Sequence, residues 1–271
     1  MNEESSPDLS HLLDAIHAEY HYDFRGYARS SLTRRVQCGR AVLGCDSVPS
    51  LCRRVLADPA AFAKLLGLLT VQVTDLFRDP AYFRRFREAI VPVLRTYPSL
   101  RLWVPGCATG EEAYSFAIVL AEEGLLDRST IYATDIAEDA LRRAREGVYP
   151  LSRISSFSDN HAASGGKRSL SEYYTARYDA AIFARGLKEH VLFSDHSLVS
   201  DGAFAEVQVV SCRNVLIYFD AELRQRALSL FARALERRGF LGLGARERLR
   251  RSERALTFAE FAPSERWYQL R

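Results

Sequence analysis

No run of apolar residues in the chain is long enough to span a bilayer, which excludes a helical membrane anchor within it. The first seven residues are acidic and polar and do not form a secretory signal, so the expectation is a cytoplasmic protein. Charge of one sign is missing too. The 37 Lys and Arg oppose 34 Asp and Glu, and a net charge of +3 is too mild to demand a nucleic-acid partner. Lysine is scarce, with only Lys64, Lys167 and Lys188, so the basic charge is nearly all arginine. Both residues serve solubility equally well, and the bias reads as genome composition. Cysteine is neither dense nor even in number. Five in a chain that needs no staples imply free thiols in a reducing compartment. Cys38, Cys45 and Cys52 recur evenly, but no histidine partners them and Pro49 interrupts any continuous helix, which argues against zinc. Cys107 and Cys212 are expected to end neighbouring strands. Internal repeats and low-complexity tails are absent as well.

What the chain does have is the run Leu102-Trp-Val-Pro-Gly-Cys-Ala-Thr-Gly-Glu-Glu-Ala-Tyr-Ser115. An apolar stretch ends in Pro105, and a short loop carries Gly106 and Gly110. The acidic pair Glu111 and Glu112 follows, and Tyr114, Ala117, Ile118 and Ala121 then recur at helical spacing. Strand, tight turn and helix in that order form the ligand-holding corner of a doubly wound α/β sheet. The glycines let backbone approach a ligand where a side chain would collide. Carboxylates beside a helix N-terminus compete with a bound anion, so the acidic pair argues against a phosphate here. A ligand carrying positive charge and hydroxyls fits better. S-adenosylmethionine, a sulfonium attached to an amino acid and a nucleoside, is such a ligand.

The 271 residues suit one large domain, or one modest domain with a small companion. Residues 9–86 read as helical, with Leu12, Leu13, Ile16 and Tyr20 on one apolar stripe and Leu32 and Val36 opening another. Asp58-Pro59 and Asp79-Pro80 read as helix starts, a capping residue followed by proline in the first turn. Residues 44–49 read as a turn, and 83–95 as the helix leading into the second region. There the pattern alternates, with strands at 101–104, 130–134, 206–211, 240–244 and 267–270. Helices are expected at 112–123, 140–146 and 221–235, Gly239 stopping the last of them. The fold class is therefore α/β, a doubly wound, mostly parallel sheet with right-handed crossovers. Ending on two strands suits an antiparallel hairpin at its edge. Residues 152–202 break the rhythm. The Ser-, Gly-, Asn- and His-rich stretch 155–167 reads as a mobile loop or insertion, and 173–191 as short strands and a turn beyond the main sheet. The expected domains are a helical one with its linker over 1–86 and the sheet domain over 87–271, with an inserted β subdomain at about 152–192.

Asp135 ends a predicted strand, where an acidic residue of a dinucleotide fold accepts ribose hydroxyls. The plainer alternative is an N-cap for the helix beginning near Glu138. Of Glu111 and Glu112, one serves as a helix cap on the plain reading, and the other faces the ligand's ammonium or hydroxyls. The run Ser211-Cys-Arg-Asn-Val-Leu-Ile-Tyr-Phe-Asp220 follows another strand at the same sheet edge. Asn214 either bonds a ligand or caps a turn. Tyr218 either presents its hydroxyl to a cleft or packs as a core aromatic. Together with the Gly106 loop and Asp135 these positions converge on the carboxyl ends of three strands. Gln72, Thr74 and Arg78 are polar groups between apolar ones in Thr70-Val-Gln-Val-Thr-Asp-Leu-Phe-Arg-Asp79. That connector either folds over the cleft or is a solvated linker.

Taken together these runs resemble the CheR family of chemotaxis-receptor glutamate methyltransferases. The family's Asn-x-Thr-x-Phe-Phe-Arg-like run is Gln72-Val-Thr-Asp-Leu-Phe-Arg78 here, and its Ser-Thr-Gly-Glu-Glu-Pro-Tyr-Ser is Ala108-Thr-Gly-Glu-Glu-Ala-Tyr-Ser115. Ala133-Thr-Asp135 matches its Ala-(Ser/Thr)-Asp strand end, and Cys212 to Asp220 matches Cys-Arg-Asn-Val-x-Ile-Tyr-Phe-Asp throughout. The last motif is highly specific, and the likeness runs from about Tyr22 to the C-terminus.

The resemblance implies the class I S-adenosylmethionine methyltransferase fold with an N-terminal all-helical domain and a small inserted β subdomain. It implies S-adenosylmethionine as cofactor, with S-adenosylhomocysteine as product. It also implies cofactor contacts at Gln72, Thr74, Arg78, Glu112, Asp135, Ser197, Leu198, Arg213 and Asn214, beside the Gly106 loop, and catalytic roles for Arg78 and Tyr218. The substrates would be glutamate carboxylates of a chemoreceptor or a similar signalling protein. The chain departs from the family at Gln72 and Ser197, where the family has asparagine, and at Ala113, where it has proline. In the family an inserted β subdomain can dock a receptor's tail peptide through a glycine-containing turn. Here the turn expected at 177–179 is short and lacks glycine, so no tail docking is expected. Arg29, Arg34, Arg35 and Arg40 are the candidates for the family's basic, receptor-facing helix, the alternative being a solvated surface. A monomer suffices. The competing readings are a methyltransferase of the same fold acting on a small molecule or nucleic acid, and a cofactor-binding sensor without turnover.

Overall fold

Prolines and short polar residues set where the first helices begin in the computed structural model, which describes residues 6–250 and 257–271. These residues form two units, the chain up to Gln72 with Tyr218–Ala227, and Val73–Ile217 with Leu228–Arg271. The first unit holds α1 (Ser6–Tyr20), α2 (Arg29–Leu43), α3 (Val48–Ala57) and α4 (Pro59–Leu69). Gly44 ends α2 in the left-handed region at φ +64°, a conformation that a side chain resists. Ser47 caps α3 by accepting from the Ser50 N–H at 3.2 Å, and Asp58 caps α4 by accepting from the Ala60 N–H at 2.9 Å. Of the predicted stripe Leu12, Leu13 and Ile16 are fully buried and Tyr20 is half-buried, and Leu32 and Val36 are buried too. A Cβ on Gly39 would lie 2.6 Å from Leu65 Cδ1, so glycine lets α2 and α4 approach closely.

The second unit begins with α5 (Pro80–Arg85), a π turn (Phe86–Ile90) and α6 (Val91–Leu94). Pro92 supplies no N–H and its ring would collide with a carbonyl one turn back, which the wider turn accommodates. Then come β1 (Leu100–Pro105), α7 (Glu111–Glu122), β2 (Ser129–Asp135), α8 (Glu138–Glu146), β3 (Val148–Pro150) and α9 (Ile154–Ala163). They are followed by β4 (Tyr174–Arg177), β5 (Ala180–Phe183), α10 (Arg185–Lys188), β6 (Val191–Asp195) and β7 (Val207–Cys212). Last come α11 (Ala221–Ala234), β8 (Leu235–Leu243), β9 (Phe258–Ala262) and β10 (Trp267–Leu270). The main sheet has seven strands in the order β6-β2-β1-β7-β8-β10-β9. Its first five are parallel, and β10 runs antiparallel to both β8 and β9. The expected mostly parallel sheet with an antiparallel edge is thus present. β3, β5 and β4 form a separate antiparallel sheet, the small inserted sheet that was expected, with β3 lying before residue 152.

Three local expectations need correction. Gly239 does not stop α11. The helix ends at Ala234 and passes directly into β8, and Gly239 lies inside that strand. A Cβ there would lie 3.1 Å from the Gln208 carbonyl, near the register shift between Val207 and Val209, so this glycine marks an irregular pairing rather than a helix end. Asp79 precedes Pro80 as expected but makes no capping bond. Its carboxylate is spent on Arg213 instead, at 2.6 Å.

The stretch 155–167 is not a loop, for most of it is α9. Most of its polar side chains face solvent, but His161 and Ser164 are buried. His161 is 2% exposed and shares a 3.0 Å hydrogen bond with Glu122, whose same oxygen accepts the Lys167 and Arg168 N–H groups at 3.1 Å. Arg87 pairs with both Glu122 and Glu123. Burial pushes the Glu122 carboxyl up, but the His161 hydrogen bond and the charges of Arg87 and His161 outweigh it and hold its pKa at about 2.

Because that value lies below the ordinary 4.5, the cluster adds stability above about pH 4.5, and its contribution is lost as pH falls towards 2. Glu122→Gln leaves Arg87 buried beside one carboxylate fewer and is expected to destabilise the protein by about 3 kcal/mol at pH 7. Urea denaturation at pH 7 and pH 3 checks this. The gap between wild type and variant should narrow at the lower pH, and a gap that stays constant refutes it.

Candidate cofactor site

β1 and β7 pair in the middle of the sheet, and successive strands are added outward from them in opposite directions. Doubly wound sheets bind ligands outside the carboxyl ends of strands at such a switch point. β1 leads there into Gly106, at φ +69°, where a Cβ would overlap Val215 Cγ2 at 2.4 Å. Glycine is therefore required for the turn and for the seat of Val215, a reason different from the ligand approach expected from sequence. Gly110, at φ +92°, would likewise place a Cβ 2.9 Å from that of Ala144.

Asp135 ends β2. One of its oxygens accepts the Ala108 N–H at 2.9 Å and the other the Ala137 N–H at 3.0 Å. Burial pushes its carboxyl up against the pull of those N–H groups. Asp135 is not the N-cap of α8. It braces the turn before α8, where Ala137 holds the N-cap position, and its carboxylate keeps acceptor capacity beyond these N–H groups. His196 donates its N–H to the Asp135 carbonyl at 3.3 Å, which brings the turn after β6 alongside. In that turn the Ser197 hydroxyl accepts the N–H groups of Val199 and Ser200 at 3.2 and 3.4 Å, and Leu198 is buried.

Neither acidic residue opening α7 caps it, since Gly110 holds that position. Glu111 accepts from Thr109 at 2.7 Å and Arg153 at 2.9 Å. Glu112 accepts from the Ser211 hydroxyl at 2.6 Å and from Arg213 at 3.2 Å. Burial pushes the Glu112 carboxyl up, and Arg213 and Ser211 pull against it. The Arg213 side chain is 1% exposed. It also donates to the Arg78 carbonyl at 2.8 Å and to Asp79 at 2.6 Å, and its guanidinium carbon lies 4.3 Å from the centre of the Tyr82 ring. The Tyr82 hydroxyl shares a 2.6 Å hydrogen bond with Ser211. Burial works against the Arg213 charge, but Glu112 and Asp79 outweigh it and keep its pKa above the ordinary value.

The segment 73–79 is tied down from several sides. Arg153 donates to the Thr74 carbonyl at 2.8 Å and to Asp75 at 3.1 Å, and Asn160 donates to the Leu76 carbonyl at 3.1 Å. The Phe77 N–H meets the Ser115 hydroxyl at 2.8 Å. The Arg78 guanidinium closes on its own loop through the Val73 carbonyl at 3.1 Å. This connector is anchored, not a free linker.

After β7, Asn214 adopts φ +62° and donates its backbone N–H to Glu247 at 2.7 Å. Glu247 is 1% exposed and also accepts the Gly244 N–H at 2.7 Å and the Ile217 N–H at 3.3 Å.

The structure thus places Thr74, Arg78, Gly106, Glu112, Asp135, Ser197, Leu198, Arg213 and Asn214 in the sheet unit, at or beside these strand ends. Gln72 and Tyr218 are counted with the helical unit. There the Tyr218 carbonyl accepts the Ala28 N–H at 2.8 Å, and the Arg35 guanidinium lies 4.2 Å from the centre of the Tyr218 ring. Arg35 was expected on an exposed basic face and is instead 6% exposed, donating to the Leu69 carbonyl. Burial draws its pKa down. Arg29 and Arg34 remain exposed.

Sequence reasoning missed Tyr82, Arg153, Asn160 and Glu247 as parts of this arrangement. Glu247 had one signal, the glycine three residues before it at the end of a strand. It sits in an arginine-rich stretch where a glutamate reads as a solvated charge.

A doubly wound sheet with a glycine loop after β1 and an acidic residue ending β2 is a ligand-binding α/β fold, and the match to a methyltransferase family model makes the chain an S-adenosylmethionine-dependent methyltransferase. The chain belongs to the CheR methyltransferase family. The family's S-adenosylmethionine-binding domain matches residues 72–263, and its all-alpha domain matches residues 7–70. A putative methyltransferase Cher3 of Pseudomonas putida is 49% identical over 87% of this chain and 86% of its own. Chemotaxis protein methyltransferase 2 of Pseudomonas aeruginosa is 31% identical over 70% and 68%. An uncharacterized 104.1 kDa protein of Rhodobacter capsulatus is 28% identical over 91% of this chain but only 26% of itself, so the same unit also occurs within a much longer chain.

The side chains suit S-adenosylmethionine. Asp135 offers acceptors for hydroxyls, and the Nε of Arg213, enclosed beside the strand end, has no hydrogen-bond partner among the described residues. Arg213→Met leaves Glu112 and Asp79 without their cation and is expected to cost about 3 kcal/mol of stability. Adding Glu112→Gln should recover part of that loss, as read by urea denaturation. Strictly additive losses would show that the pair is not coupled.

Proposed function

We propose that this protein transfers a methyl group from S-adenosylmethionine to glutamate side-chain carboxylates of a chemoreceptor or similar signalling protein, giving a methyl ester. The observation that carries this reading is the intact run Cys212 to Asp220, with Tyr218 inside it, in a CheR-family chain. When bound, the cofactor supplies an electrophilic methyl on a sulfonium. The chain's residues supply position. No general base is required, because a glutamate carboxylate is already ionised at neutral pH. The reaction joins opposite charges that fade together, so a water-poor site favours it as long as binding energy holds the charged partners there.

Gln72, Thr74, Arg78, Gly106, Glu112, Asp135, Ser197, Leu198, Arg213 and Asn214 hold the cofactor in this reading. The Tyr218 hydroxyl donates to one oxygen of the acceptor carboxylate and leaves the other free to react. Arg78 organises the 73–79 segment, which its bond to the Val73 carbonyl supports. A bidentate grip on the carboxylate would blunt its nucleophilicity. The exposed Arg29 and Arg34 on α2 are the cations available to acidic receptor helices. The β4–β5 connection is a two-residue turn, Tyr178-Asp179, without glycine, so methylation proceeds without tail docking.

Incubation with methyl-labelled cofactor and the cytoplasmic helices of a chemoreceptor is expected to yield a base-labile mark on glutamate. A base-stable mark would indicate nitrogen or carbon methylation and defeat the proposal. Tyr218→Phe should lower single-turnover rate by about 100-fold, with S-adenosylhomocysteine affinity, measured by calorimetry, changed by less than about threefold. Affinity lost with the rate retained would reverse the assignment. Removing the last residues of a receptor's tail should leave its methylation rate unchanged, and a large drop would mean that the tail is bound after all.

A further inference from the structure

Glu247 is a buried carboxylate that pairs with no cation among the described residues and accepts three backbone N–H groups. One comes from Gly244 at the end of β8, and two, from Asn214 and Ile217, come from the turn after β7. That turn needs a brace. Asn214 holds a left-handed backbone at φ +62°, which asparagine tolerates better than most residues but does not prefer. Its N–H, half-buried, would lack a protein partner without an acceptor there. Bonds to an ionised acceptor are roughly twice as strong as neutral ones, so one carboxylate fixes both ends of a turn that lacks regular pairing. Val215, in the same turn, fills the space over Gly106 that a Cβ would occupy. The turn and the loop after β1 are therefore set against each other.

We propose that Glu247 is a positioning residue for cofactor binding, its carboxylate holding the turn that presents Asn214. The inference rests on the reading of Asn214 as a cofactor contact. Gly244 is part of the device. A Cβ there would lie 2.6 Å from the Glu247 carboxylate and 2.9 Å from the Asn214 nitrogen, so any larger residue displaces the brace.

S-adenosylhomocysteine binding to the full chain, followed by calorimetry, tests this in the variants Glu247→Gln, Gly244→Ala and Asn214→Ala and in the double variants with Asn214→Ala. Glutamine keeps the size but faces one of the N–H groups with an NH2. Alanine at 244 keeps the carboxylate but pushes it away. Each of the two is expected to weaken affinity about tenfold, with a thermal midpoint close to wild type. Neither should weaken it further once Asn214 is alanine, because both act through that residue. Losses that add to that of Asn214→Ala overturn the proposal, as does unchanged affinity in both variants. Failure of both to fold also overturns it, since Glu247 would then hold the sheet edge as a whole. If Asn214→Ala alone leaves affinity intact, the cofactor-contact reading fails instead, and that single variant separates the two failures.

Discussion

A guanidinium shut away from water needs acceptors or a ring around it, and Arg213 draws most of them from two stretches of chain, 78–82 and the start of α7. The Arg78 carbonyl and Asp79 come from the segment before α5, the Tyr82 ring from α5 itself, and Glu112 from the first turn of α7. Removing either carboxylate leaves a buried charge with its desolvation only partly repaid. The segment 73–79, the start of α7 and the end of β7 therefore reach their places together. This gives the Cys-Arg-Asn run a structural meaning. The arginine locks the frame, and the asparagine that follows begins the turn at the switch point.

The acidic groups do the complementary work. Asp135 joins the loop after β1 to the turn after β2, Glu122 gathers α9 and the residues behind it, and Glu247 closes the turn after β7. In each case a carboxylate collects N–H groups or cations that irregular backbone leaves over, which is how loops stay ordered without ladder or helix bonds. Charge here serves geometry. That agrees with a transfer in which no residue of the chain has to carry a proton and the barrier is lowered mainly by alignment.

The alternating pattern was enough to read the parallel sheet, its antiparallel edge and the strand ends where Gly106, Asp135 and Arg213 lie, because apolar periodicity is local and each strand carries its own. The same logic failed wherever a partner far along the chain decides the outcome. The stretch 155–167 reads as a loop by composition, yet Glu122, about forty residues earlier, takes up its histidine and amides and makes it part of a buried cluster. Arg35 reads as a surface cation, since nothing nearby reveals that the Tyr218 ring and the Leu69 carbonyl enclose it. Glu247 is the same case with the sign reversed. Asp79 failed more narrowly. An aspartate before proline usually caps a helix, but a buried guanidinium binds a carboxylate more strongly than an N–H does.

The departure at Ser197 can be weighed in the same terms. Its hydroxyl already accepts two N–H groups from its own turn. An asparagine carbonyl could do that work while its amide kept two donors free, whereas serine has a single O–H left to offer. The substitution therefore removes donor capacity towards a ligand without loosening the turn, and the turn's link to Asp135, through the His196 N–H, involves only backbone. The braces on Asp135, Arg213 and Asn214 are likewise independent of residue 197. On the proposed reading of Ser197 as a cofactor contact, any weakening of binding from this position is confined to one hydrogen bond.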